Sequence, residues 1–69
     1  MTPRQLAILR FIATYRQSHG YPPTQREIAA EFGIYTNGAK GHLEALRTKG
    51  MVDWERGKSR TLRVIGNTN

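Results

Sequence analysis

The chain contains no cysteine, which excludes a disulfide framework, a thiolate zinc site and a cysteine nucleophile together. Its two histidines, His19 and His42, stand far apart with no carboxylate at ligand spacing, so no metal site is expected. No apolar run approaches the roughly 20 residues of a membrane span, and no signal-type apolar segment follows Met1. Paired carboxylates, a histidine–carboxylate pair and a glycine-rich phosphate cradle are also missing, so neither an enzyme nor a cofactor is expected. What is present is 69 residues, 38% of them hydrophobic. That length holds one small domain, which buries only roughly 60% of the surface its unfolded chain exposes. The expectation is a soluble, cytoplasmic domain with no membrane partner.

Acidic residues are scarce. Eleven Lys/Arg face five Asp/Glu, for a net charge of +6. A field of that sign favours polyanions: nucleic acid first, an anionic membrane or an acidic protein second. The excess is uneven. Residues 40–63 hold seven basic and three acidic groups, against four and two in residues 1–39. A binding face is therefore expected on the second half.

Local signals divide the chain into five elements. Thr2, Pro3 and Gln5 read as a capping box with proline at the first helical position. Ile8, Leu9, Phe11, Ile12 and Tyr15 recur at helical spacing up to Gly20. Tyr21-Pro22-Pro23 is a stiff connector. Thr24 and Glu27 form a second capping box, Ile28, Ala29 and Phe32 an apolar edge, and Gly33 a stop. After a turn at Ile34-Tyr35-Thr36, a third helix runs over about 36–49, with Ala39, Leu43 and Leu46 inward and Gly50 closing it. The period then drops to two. Val52 and Trp54 alternate with polar neighbours, Leu62 and Val64 do the same, and the five residues Arg56–Arg60 link them as a hairpin. Residues 67–69 are expected to be a disordered tail behind a domain over 1–66.

Two capped helices joined by a short glycine turn make a helix-turn-helix, here followed by a basic-tipped hairpin. A helix fits the DNA major groove, and its N-terminal residues are the ones that reach bases. The third helix begins Thr36-Asn37-Gly38-Ala39-Lys40-Gly41. Asn37 can pair with adenine, and Lys40 can reach guanine or a phosphate. Thr24, Gln25, Tyr35 and Thr36 suit phosphate oxygens. Arg47 and Lys49 extend the groove-facing helix toward its end, and Lys58, Ser59 and Arg60 lie at the hairpin tip, over a neighbouring minor groove or backbone.

The blander readings are specific too. Arg4, Arg10 and Arg16 suit a solvated helix face, His42 a partly buried spacer and His19 a partner for the helix dipole. Trp54 is expected to pack the hairpin onto the bundle, and Tyr35 either plugs the turn or donates to a phosphate. Gly38 and Gly41 each cost roughly 1 kcal/mol of helix stability against alanine; for Gly41 the expected reason is close approach of the backbone to DNA.

Residues 4–64 resemble the N-terminal DNA-binding domain of the LexA repressors. The resemblance rests on Arg4-Gln5, Gly20, Pro22-Pro23-Thr24, Glu27-Ile28-Ala29, Gly33, His42-Leu43, Ala45-Leu46, Lys49-Gly50 and Ser59-Arg60. It implies a mainly α fold with a small β-hairpin: a winged helix-turn-helix, in which a three-helix bundle carries a two-stranded antiparallel wing. The implied function is double-stranded DNA binding in transcription regulation. Three departures stand out. LexA repressors continue into a peptidase-like dimerisation domain, so self-cleavage and that dimer are not expected of this chain. The turn between the second and third helices is one residue shorter, and Lys40-Gly41 stands where LexA repressors carry a Glu-Glu pair. A different operator preference follows. A single module covers few phosphates, so a weak homodimer, or a dimer formed on DNA, is expected. The alternative is a protein-interaction module whose basic face engages an acidic partner, either RNA polymerase or a repressor that it disables.

Overall fold

The computed structural model describes residues 2–65, so the expected tail at 67–69 lies outside the described residues. Helix α1 spans Pro3–His19, α2 Gln25–Phe32 and α3 Thr36–Thr48, followed by strands β1 (Val52–Asp53) and β2 (Arg63–Val64). The strands pair antiparallel, with Val52 opposite Val64 and Asp53 opposite Arg63. This is a winged helix.

Both expected capping boxes are formed. The Thr2 hydroxyl accepts from the Gln5 N–H, and Gln5 reaches back to the Thr2 N–H. Thr24 and Glu27 do the same for α2. Such a cap contributes about 1 kcal/mol. α2 ends at Gly33, whose φ of 65° lies in the left-handed region that glycine enters without a Cβ penalty. That turn sends the Ile34 N–H to the Ala29 carbonyl at 3.0 Å. Ile34 then packs against the core, and Tyr35 starts α3.

One core joins the three helices, β1 and the residue that leads into β2. Ile8 and Ile12 from α1 meet Ile28 and Ala29 from α2, Ala39, Leu43 and Leu46 from α3, and Val52 and Leu62 from the hairpin. Gln5 is the buried polar residue of this interior. Its Oε1, already used in the α1 cap, also accepts from Lys49 Nζ at 3.0 Å, tying the end of α3 to the start of α1.

The hairpin departs from expectation in two ways. The link is longer than Arg56–Arg60, because the ladder ends at Asp53 and Arg63. Trp54 leaves the ladder: its N–H turns back to the Asp53 carboxylate at 2.8 Å. The Glu55 N–H then finds the Thr61 hydroxyl at 2.9 Å. Thr61 Oγ1 also lies 3.2 Å from the Lys58 carbonyl, so one side chain staples the tip. Second, Val64 does not share the burial of Leu62; it is 40% exposed. It sits on the edge strand, beside a shallow groove against α1 at Ile12, Ala13 and Arg16. Trp54 packs against the core as expected.

Candidate nucleic-acid interface

Helix geometry settles what α3 presents. Ala39, Leu43 and Leu46 are buried, so the opposite face carries Asn37, Gly41, Glu44 and Thr48, four and three residues apart in turn. Asn37, Gly41 and Thr48 are exposed, Glu44 is half-buried, and Lys40 flanks the stripe in solvent. A Cβ placed on Gly41 would meet nothing within 4 Å. Internal packing therefore does not explain this glycine. Gly38 differs, since its Cβ would touch Ile34 at 3.8 Å.

Unlike α1 and α2, α3 begins without a side-chain cap. Tyr35, at the N-cap, is 89% exposed, so it does not plug the turn; Ile34 does. The Thr36, Asn37 and Gly38 N–H groups precede the first intrahelical donor, Ala39, and add to the positive end of the helix dipole.

A second set of groups gathers where α2 starts. Thr24, Gln25 and Arg26 line a groove of about 240 Å³, and Lys58, Ser59 and Arg60 from the wing line its other side. The fold thus joins two parts of the expected site that lie more than thirty residues apart in sequence. Arg26 shares this groove and was not among the expected site residues. A cation in the first turn of a helix opposes the helix dipole, so the sequence already marks Arg26 as poorly placed for the stability of α2 itself. Glu44, an acidic group on the outer stripe of an otherwise basic helix, was not among the expected site residues either. A carboxylate on the outer stripe can accept from the cytosine amino group.

Other expected contacts are held by the protein itself. Arg47 Nε lies 2.9 Å from Asp53 Oδ1, and its guanidinium covers the Trp54 ring at 4.6 Å. Arg63 reaches the other Asp53 oxygen at 3.3 Å. The Trp54 N–H, then Arg47 and Arg63, hold the Asp53 carboxyl below its usual range. Lys49 bonds Gln5, and Lys58 makes an open 3.5 Å pair with Glu55. Arg60 is the most committed. Its fork donates to both Glu27 oxygens at 3.1 and 3.0 Å and to the Pro22 carbonyl at 3.1 Å. That fork, with the Thr24 N–H next, pulls the Glu27 carboxyl down to about 2. Among the described residues, Arg26, Lys40 and Arg56 have no carboxylate within ion-pair distance.

His42 is half-buried, as expected of a spacer. His19 does more than meet a dipole: its ring stacks on Tyr15 at 3.9 Å. Arg10 and Arg16 are solvated, while Arg4 lies over the Phe32 ring at 5.6 Å. Among the described residues no His, Asp or Glu cluster could hold a metal, and no helix is long and apolar enough to cross a membrane.

A helix-turn-helix with a basic hairpin docked at the start of its first helix, α2, defines a winged-helix domain. The LexA DNA binding domain family matches residues 1–61, and the chain belongs to that family. The chain is 46% identical over 67 residues to LexA repressors of Geotalea uraniireducens and Pseudomonas aeruginosa. It is 51% identical over 63 residues to one from Anaeromyxobacter dehalogenans. These alignments cover 96%, 96% and 90% of this chain, but only 33%, 33% and 28% of the relatives. The chain thus spans about a third of the length of the repressors it matches.

Proposed function

We propose that the chain binds double-stranded DNA as the reading part of a transcriptional regulator, with α3 in the major groove. The observation that carries this reading is the outer stripe of α3, whose central residue, Gly41, has nothing of the protein to pack against. Asn37 and Lys40 read base edges, and Glu44 adds an acceptor beside them. Thr24, Gln25, Arg26, Tyr35 and Thr36 hold phosphates, and Lys58, Ser59 and Arg56 carry the wing along the adjacent backbone. Arg47 and Lys49 brace α3 through Asp53, Trp54 and Gln5 and approach DNA only with their outer edges. One such module covers roughly 600–1,000 Å². Two copies on half-sites about one helical turn apart give the affinity that regulation needs.

Salt dependence of duplex binding, read by fluorescence anisotropy, tests this. Contact with four to six phosphates gives a slope of log K against log salt of roughly −4 to −5, and Lys40→Ala makes it shallower by about 0.9. A flat response, or high-affinity capture of a protein that survives Lys40→Ala, refutes the reading and favours a protein-interaction module.

A further inference from the structure

Arg60 occupies the wing tip, where a cation invites the role of phosphate contact, yet its guanidinium faces the protein. Three of its five N–H donors are used on Glu27 and Pro22. One face of its plane lies over the Tyr21 ring, 4.6 Å from the centroid. These partners sit more than thirty residues earlier, in the connector and first turn of α2. The backbone at Arg60 is strained as well. Its φ of 57° makes it the one non-glycine residue in the left-handed region among the described residues. A side chain held at several points is what keeps such a backbone in place.

We propose that Arg60 is a positioning residue, a latch that fixes the wing against the start of α2 and sets the spacing between their DNA-facing groups. The proposal rests on the DNA-contact reading given above. Bidentate pairing defines direction as well as distance, and stacking on Tyr21 removes the remaining rotation. Lys58 and Ser59 precede Arg60 directly, and Gln25 and Arg26 precede Glu27. The latch therefore holds two short runs of phosphate-facing residues across one groove. Glu27 also serves the α2 cap: its Oε1 accepts from the Thr24 N–H at 2.8 Å. Wing docking and helix capping thus share one carboxylate.

A double-mutant cycle in the whole chain separates a latch from a phosphate contact. The variants are Glu27→Gln, Arg60→Gln, the pair together, and Arg60→Lys. They are read by anisotropy on random-sequence duplex DNA and, without DNA, by amide heteronuclear NOE over residues 56–61. Glutamine at 27 retains an oxygen for the Thr24 N–H, so α2 stays capped. Glu27→Gln makes the protein more positive, and electrostatics alone would tighten binding. The latch predicts the opposite sign: Glu27→Gln and Arg60→Gln each weaken binding by about tenfold, and the pair is no worse than either single change. Arg60→Lys, which keeps the charge and loses the fork, behaves like Arg60→Gln. In the free protein the NOE over 56–61 falls in every variant. Tighter binding by Glu27→Gln, additive losses in the pair, or wild-type affinity for Arg60→Lys overturns the proposal. Unchanged NOE values in the single variants overturn it regardless of the DNA result. Failure of the wild-type chain to bind duplex, with the NOE loss still present, instead refutes the DNA reading and leaves the wing latched.

Discussion

Gly41→Ala separates stability from function in one substitution. In the free protein the new methyl points into solvent, with nothing within 4 Å beyond its chain neighbours and its own helix backbone. Alanine is favoured over glycine inside a helix by about 1 kcal/mol, so the variant unfolds at higher temperature, by about 4–8 °C for a domain of this size. In the proposed complex the same methyl lies between Asn37 and Glu44, at the centre of the stripe turned to the groove. Forcing a methyl into a close-packed contact costs about 1–3 kcal/mol, which is roughly five- to 150-fold in affinity. Circular dichroism melts and duplex titrations on the same preparation read both quantities. The expected result is a more stable protein that binds DNA more weakly. A variant that gains stability and keeps full affinity refutes the close approach of α3 to DNA.

Stability against pH follows from Glu27, whose carboxyl is drawn below its ordinary 4.5 to about 2 by the Arg60 fork first and the Thr24 N–H second. A carboxyl lowered on folding contributes fully above its unfolded pKa and loses that contribution as pH falls toward the folded value. Thermal melts are therefore flat from neutral pH to about 5 and fall below it, with a smaller fall in Glu27→Gln; identical acid limbs would contradict the pairing. Leu43, fully buried where α3 meets the core, anchors that helix. Leu43→Ala costs about 2–5 kcal/mol in urea denaturation, and a loss under 1 kcal/mol would mean that α3 is not seated as described.

The helices were legible because their signals are local. Thr2 with Gln5 and Thr24 with Glu27 announce their caps within four residues, and Gly33 and Gly50 mark stops by their need for positive φ. The outer face of α3 followed from the burial of Ala39, Leu43 and Leu46 by periodicity alone. The hairpin was less legible, because alternation at Trp54 and Val64 says nothing about where cross-strand pairing ends. The Asp53 carboxylate and the Thr61 hydroxyl decide that by capturing N–H groups which a longer ladder would use. The assignment of cations was least legible. Arg60 and Arg47 look like free charges in a basic tract, and only the chain's return brings Glu27, Tyr21 and Trp54 to them. The fold was thus readable to the extent that neighbours in sequence determined it.

A duplex titration followed by amide chemical shifts probes most directly whether α3 and the wing form the DNA-facing side. Shifts concentrated at residues 24–26, 36–41 and 56–60, with the solvated face of α1 around Arg10 and Arg16 unmoved, are the predicted outcome. Movement confined to α1, or no movement at all at saturating duplex, would contradict it.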